Sequence, residues 1–389
     1  MHFTLAPYRT QLIHDLSIIG EAQWSQLLAQ QAHANPFLSY AFLHAMHASR
    51  SASTSSGWKV CFLSLWENEL LVAVMPLYEK SHSYGEYVFD WAWANAYQEH
   101  GLSYYPKLLS AIPFTPVCGQ RLIAKDGASK NALLNALTQL LASTNYSSAH
   151  VLFPPEEEIA LFEQAGFLIR TGVQFHWKNQ GFGHFDDFLA TLSLKKRKNI
   201  RAERKKVQEA GVTFEQLTGN DISKAHWDFF KSCYDQTYYE HRSTPYLNAD
   251  FFARVANTMP NNVTLIIANK ADKAIASSLL IHDENTLYGR YWGCLESVSC
   301  LHFETAYYQA IEFCIQHKIA TFEGGAQGEH KLARGFLPVK TFSAHLLAEP
   351  AFADAVSRFL EREQHGIDNY IDELNEHSPY KNGSSSVSI

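Results

Sequence analysis

At 389 residues the chain is longer than one hydrophobic core usually supports, so two domains are the natural expectation. Apolar residues make up 46% and aromatics 13%, which supplies packed cores and excludes a disordered chain. With 32 basic against 39 acidic side chains, the net charge of −7 excludes a general nucleic-acid coat and confines polyanion binding to a local patch.

Six cysteines, Cys61, Cys118, Cys233, Cys294, Cys300 and Cys314, are scattered without a CxxC pair and suit free thiols in a reducing compartment. Nineteen histidines invite a metal reading, yet there is no HExxH. The tight His/acid groupings are only His282-Asp283, His302-Phe303-Glu304 and Glu329-His330, so no metal site is expected. The N-terminal stretch has neither a basic leader nor a continuous apolar segment. The longest apolar run, Leu70 to Leu77, contains Pro76 and falls short of a bilayer span. The expected location is cytoplasmic, without a transmembrane segment and with peripheral membrane contact left open.

In chain order, Trp58 to Trp66 alternates as a strand, Glu67-Asn68 turns, Leu70 to Tyr78 reads as a second strand and Glu86 to Trp91 as a third. From Asp90 to Lys107 aromatic and polar side chains interleave; Trp93, Tyr97 and Tyr105 suit stacking on a sugar or peptide, and equally a core strand with a packed loop. A helix follows over Lys130 to Leu141, then a buried strand over His150 to Phe153. The second half repeats that order, with strands over Val263 to Ala268, Ala274 to His282 and Thr286 to Gly293, a helix over His302 to Lys318 and a strand over Ala320 to Glu323. Tyr84-Gly85-Glu86-Tyr87 and Tyr288-Gly289-Arg290-Tyr291-Trp292 close the two meanders with similar phrases. Duplication of one mixed α/β unit, offset by about two hundred residues, is the simplest account. Domains are expected over 1–178 and 179–380, joined near Asn179 to Asp187, with a disordered tail over 381–389.

Between the repeats, Ser193 to Val212 predicts a basic helix over 193–211. Eight of the twelve residues from Lys195 to Lys206 are Lys or Arg, against the one acid Glu203. Ile200 and Val207 seat it, and Gly211 supplies a stop. Like charges at this density repel unless an anion neutralises them, which makes Lys195, Arg197 and Arg201 candidate anion ligands. The anion is a phosphate of a nucleotide-linked substrate, a pyrophosphoryl lipid, a coenzyme, transfer RNA or an anionic membrane; a solvated basic face is the plain alternative.

The most informative stretch is Phe322 to Phe336, FEGGAQGEHKLARGF. An apolar β-type run stops at Glu323 and three glycines, and Gln327, Glu329, His330, Lys331 and Arg334 follow where a strand empties into a loop. Glycines admit close backbone approach, and the side chains supply acid, base and cations together. A solvated surface turn would carry similar residues.

Ser193, Lys195, Arg197, Ile200, Ala202 and Ala210 to Val212 resemble the basic helix that opens the second domain of Fem-type aminoacyltransferases, the FemAB-like branch of the GNAT superfamily. Phrases of its peptidoglycan biosynthesis/recognition subgroup stand at Asn35 to Leu38, Tyr104 to Lys107, Pro113 to Pro116, Tyr291 to Cys294, His302 to Glu304 and Gly324 to Phe336. The resemblance implies an α/β (α+β) fold of two tandem GNAT-like domains, each a mixed, mainly antiparallel twisted sheet flanked by helices, facing a shared cleft. It implies transfer of an acyl or aminoacyl group to an amine, on a cell-wall precursor or related conjugate. The Arg/Gln-x-x-Gly-x-Gly/Ala loop that holds coenzyme A in ordinary GNAT enzymes is missing, since Leu295 to Leu301 stand before His302. Both aminoacyl-tRNA and acyl-CoA remain donors, the former with more weight, and no permanently bound cofactor is called for. The partners are then a phosphate-bearing donor or acceptor, transfer RNA among them.

Direct attack in a ternary complex needs a proton acceptor and an oxyanion partner. The candidates are Glu323, Glu304, His302 and His330 for the proton, and Tyr291 for the leaving group or oxyanion. Lys331, Arg334, Gln327, Glu329 and Trp292 are candidate substrate contacts, with Trp93, Tyr97 and Tyr105 on the acceptor side. Each has a structural rival: His302 as a helix cap, Glu304 in a salt bridge, Tyr291 in the core. The rival function is a non-catalytic protein that recognises a glycan, lipid head group or RNA on the same scaffold.

Overall fold

The structure, a computed structural model, describes residues 2–5, 7–325 and 328–381. The binding role expected of Gln327 and the tail beyond Lys381 lie outside the described residues. The chain divides into two compact units, unit 1 comprising 1–172 with 340–369, and unit 2 comprising 173–339 with 370–389.

Unit 2 begins within strand Leu168–Lys178, which pairs antiparallel with Thr321–Glu323, and continues through helices Phe185–Thr191 and Leu194–Glu209 to strand Val212–Thr218 and helices Lys224–Glu240 and Ala249–Thr258. Three antiparallel strands follow, Val263–Lys270, Lys273–His282 and Thr286–Cys294. The first hairpin turns on Ala271 and Asp272, both at positive φ (49° and 59°), as a two-residue turn matched to strand twist requires. Helical residues Leu301–His317 then return the chain to Thr321–Glu323, which pairs parallel to Thr286–Cys294. A parallel neighbour needs such a crossover. One face of the sheet presents Ile266, Leu280, Leu287, Phe322 and Trp177 to Ile311 and Cys314 of the crossover helix, forming the main core. Helix Lys224–Glu240 packs so closely on Thr286–Cys294 that a Cβ at Gly293 would meet the Cys233 carbonyl oxygen at 2.0 Å.

Unit 1 repeats the order of elements: strand Tyr8–Ile13, helices Glu21–Leu28 and Tyr40–Ala48, an antiparallel meander, helix Gly127–Ala142 and strand Ser148–Leu152, parallel to Lys107–Ser110. Its meander departs from expectation. The strand expected over Trp58 to Trp66 is two, Trp58–Val60 and Phe62–Glu67, and that over Leu70 to Tyr78 is also two, Leu70–Met75 and Tyr78–Lys80. The first halves and second halves enter different sheets: Phe62–Glu67 pairs with Leu70–Met75, and Trp58–Val60 with Tyr78–Lys80. Pro76, which donates no ladder hydrogen bond, stands at the second break. The strand expected over Glu86 to Trp91 is irregular, with Gly85 and Tyr87 at positive φ and Glu86 and Asp90 turned inward on a buried lysine. Helix Trp91–Glu99 follows, where Trp93 and Tyr97, four residues apart, share a buried face.

Candidate functional site

The pairing of Thr286–Cys294 with Thr321–Glu323 covers only Thr286 to Tyr288, after which Gly324 and Gly325 end the second strand. A cavity of about 480 Å³ opens there, and every residue lining it belongs to unit 2. A β-bulge prepares its first wall: Leu279 pairs with Tyr291 and Leu280 with Gly289, so Arg290 is the extra residue. A bulge bends the strand and re-aims its side chains, and Arg290, Tyr291 and Trp292 all reach the cavity. Thr237 fixes this wall by donating from Oγ1 to the Trp292 carbonyl at 2.9 Å.

The crossover helix supplies the second wall. It starts from Cys300 in the left-handed region (φ 66°) and passes through one π-type stretch, Glu304–Tyr308. Such a stretch inserts a residue into the turn, and here His302, Ala306 and Tyr307 line the cavity. The His302 ring stands 4.7 Å from the Trp292 ring. The third wall is the 3₁₀ turn Glu329–Arg334, which contributes His330 and Lys331. His330 Nε2 meets the Tyr307 hydroxyl at 3.0 Å, and Lys331 Nζ donates to the Gly325 carbonyl at 3.0 Å. Gly324 is needed for this closeness, since a Cβ there would sit 2.9 Å from the Phe336 ring and 3.2 Å from the Lys331 stem.

Burial and the neighbouring cations set the charge of these groups. Burial, with His330, Arg334 and Lys331 nearby, lowers His302 to about 4, and burial with the charges of Lys331 and Arg334 lowers His330. Burial lowers Lys331 to about 8 and raises Tyr307 to about 12. At neutral pH the cavity therefore holds a neutral His302 imidazole beside an ammonium that gives up its proton readily.

The structure brings Tyr291, Trp292, His302, His330 and Lys331 together. Glu323 stands apart from the lining, on the sheet face it shares with His176 and Tyr288. Its Oε2 is buried without a hydrogen-bond partner among the described residues, 4.0 Å from His176 Nε2. Burial pushes Glu323 up to about 8 and His176 down to about 3, so at neutral pH this pair is chiefly an acid and a neutral ring, not an ion pair. Glu304 is buried in a structural role: it accepts from Arg204 Nη2 at 3.0 Å and from Gln309 Nε2 at 2.9 Å. Arg334, 6% exposed, donates to Glu203 Oε1 at 2.8 Å and to the His330 carbonyl at 2.7 Å, and covers the Phe303 ring. It braces the turn from behind the lining. Glu329 is exposed and accepts from the Tyr370 hydroxyl at 2.8 Å.

On the basic helix, Leu194–Glu209, Lys195 is exposed, Arg197 is half-buried and Arg201 pairs with Asp186 at 2.9 Å. Trp93 and Tyr97 do not form an open acceptor surface: they pack with Tyr104, Leu347, Val356 and Leu360 in a core of unit 1. Tyr105 is half-buried with its hydroxyl 2.8 Å from Ser83 Oγ. Next to them lies a buried ionic cluster that sequence reasoning missed: Lys107 donates to Glu86 Oε2 at 2.8 Å and to Asp90, which also accepts from Tyr104 at 2.6 Å. Tyr104 meets His150 at 3.1 Å, and His150 shares a hydrogen bond with His345 at 2.7 Å. Thr237, Glu240 and His241 of the cavity rim were also unclaimed, and only their helix, with Trp227, Phe230 and Tyr234 in register, carries a signal.

Among the described residues no group of three or more His, Cys, Asp or Glu is placed to hold a metal, and no helix is long and apolar enough to cross a membrane. The family described as peptidoglycan biosynthesis/recognition, FemAB-like, matches residues 15–382. No protein of curated function matches in sequence. Among solved structures, FemX is similar at a TM-score of 0.55 and 10% identity, covering 86% of this chain and 98% of that one. The C-terminal domain of a putative lysylphosphatidylglycerol synthetase from Agrobacterium fabrum is similar at 0.54 and 9%, over 88% and 95%. L-PGS from Bacillus licheniformis is similar at 0.52 and 10%, over 87% and 96%. At such identities the likeness is one of fold.

Proposed function

The chain belongs to the FemAB-like family and is an acyltransferase by class, and from that premise we propose that the unit 2 cavity transfers an aminoacyl group to an amine on a cell-wall precursor or an amino-bearing lipid. The observation that carries this reading is the opening between Thr286–Cys294 and Thr321–Glu323, with neutral His302 and the ammonium of Lys331 both facing it.

The donor is an aminoacyl ester on a polyphosphate carrier, with the basic helix Leu194–Glu209 as its counter-charge. The acceptor amine, once neutral, attacks the ester carbonyl carbon, a C–N bond forms and the C–O bond to the carrier breaks. The amine proton ends on the leaving hydroxyl, and a neutral imidazole, His302 or His330, is suited to relay it. Lys331 is suited to stabilise the tetrahedral oxyanion, since charge that develops in a water-poor site is felt more strongly than in bulk water. Glu323, protonated through neutrality, is suited to hydrogen-bond donation rather than proton abstraction.

The test supplies acyl-CoA pools and charged transfer RNA separately, with an amine acceptor, and follows which donor loses its acyl group. Consumption of charged transfer RNA, abolished in Lys331→Met, supports the proposal. Consumption of acyl-CoA alone would redirect the donor, and turnover of neither would favour recognition without catalysis.

A further inference from the structure

The basic helix Leu194–Glu209 has two distinct faces. Ile200, Glu203, Arg204 and Val207, at i, i+3, i+4 and i+7, form its inner stripe, in which Ile200 and Val207 are buried. Lys195, Lys198, Lys205 and Lys206 are exposed on the other side, and the one large apolar residue exposed there is Leu194 in the first turn. A charged face without an apolar stripe suits a phosphate backbone better than a bilayer, which binds helices through buried apolar area.

The one acid in the basic run does not relieve charge on that outer face. Glu203 points inward and accepts from Arg334 Nη2 at 2.8 Å and from the Tyr308 hydroxyl. Arg334 in turn donates to the carbonyl of His330. The next residue, Arg204, holds the crossover segment that Glu203 meets only through Tyr308: its Nη2 donates to Glu304 at 3.0 Å and its Nη1 to Glu312 at 2.8 Å. Glu304 opens the π-type stretch that follows His302 and carries Tyr307. Two consecutive residues thus tie the helix to both segments that carry the cavity's imidazoles.

We infer that Glu203 and Arg204 are positioning residues that link an RNA backbone docked on the outer face of the helix to the placement of His330 and His302. The link rests on the proposed polyphosphate-bearing donor. Its physical basis is that both ties are partly buried charge pairs, in which stranding one partner is costly, so helix and walls shift together. A donor can then be registered at the cavity before its acyl group arrives.

The test labels histidine side chains for NMR, assigns the His302 and His330 lines with His302→Asn and His330→Asn, and adds a short blunt-ended RNA duplex at low salt. Anisotropy follows binding separately. In the wild-type protein, saturable binding is expected to displace both lines. Glu203→Gln is expected to keep duplex affinity within about twofold while His330 stops responding, and Arg204→Gln is expected to silence His302. Should Arg204→Gln fail to fold, Arg204→Lys, which keeps the charge and loses the planar fork, replaces it. Binding without displacement in the wild type, or displacement that survives in both variants, overturns the link alone. Absence of duplex binding, or binding to anionic vesicles instead, overturns the link and the donor reading together.

Discussion

Glu323→Gln should stabilise unit 2 at alkaline pH and leave it unchanged in acid. Glu323 has a buried Oε2 with no hydrogen-bond partner among the described residues, and burial pushes its carboxyl from 4.5 up to about 8 despite the pull of Lys178 and Arg290. A carboxyl raised in this way holds its proton in the folded state while the unfolded chain has lost it. It therefore lowers stability as pH rises from 4.5 to about 8, and has no such effect below that window. At about 1.4 kcal/mol per pH unit, the full interval amounts to roughly 4–5 kcal/mol above pH 8. Glutamine leaves a polar amide in the same place, so about 2–4 kcal/mol should be recovered. For a unit of this size that is a rise in melting midpoint of about 5–12 °C. Scanning calorimetry of both proteins at pH 4, 6 and 8.5 would show the gap opening with pH. Equal gaps at pH 4 and 8.5, or a lower midpoint for the variant at 8.5, would refute the reasoning.

Lys331, lowered to about 8, is charged below that pH and neutral above it, so affinity of the cavity for an anionic ligand should fall as pH passes 8. Lys331→Arg should flatten that dependence in a calorimetric titration with a carboxylate or phosphate probe. Gly293→Ala drives a Cβ against the Cys233 carbonyl and should destabilise unit 2 by about 2–3 kcal/mol or more, read by urea unfolding. Burial holds His150 and His345 neutral in the folded state, with His150 lowered to about 3, so their contribution is complete above pH 6.5 and lost as pH falls below it. Unit 1 should lose on the order of 2 kcal/mol per histidine by pH 5, visible as a falling midpoint that a His345→Asn variant reduces.

The second half was more legible than the first. Its strands are β-rich runs bounded by the polar turns at Lys270 to Lys273 and Glu284-Asn285, and the expected strands end within about two residues of the observed Val263–Lys270, Lys273–His282 and Thr286–Cys294. Leu194–Glu209 was marked by its charge run, and the glycines at 324 and 325 marked the strand end that opens the cavity. In unit 1 the alternation of Trp58 to Trp66 continues through Cys61, so nothing in the pattern records that the chain changes sheets there. Trp91-Ala92-Trp93-Ala94 alternates like a strand, and only the Trp93–Tyr97 spacing betrays a helix. Spacing could nominate Glu304 and Arg334 as polar residues near a site, but their partners, Arg204 and Glu203, lie a hundred or more residues away. Long-range charge pairing of that kind leaves no local pattern.

The central claim is that transfer takes place in the unit 2 cavity. Its most direct measurement is photocrosslinking with a charged transfer RNA whose aminoacyl group bears a photoreactive side chain, followed by peptide mapping. Labels should fall on Arg290 to Trp292, His302 to Tyr307 and His330 to Lys331, and disappear with excess unmodified donor. Competable labelling confined to unit 1, around Trp93 to Tyr105, would contradict the account.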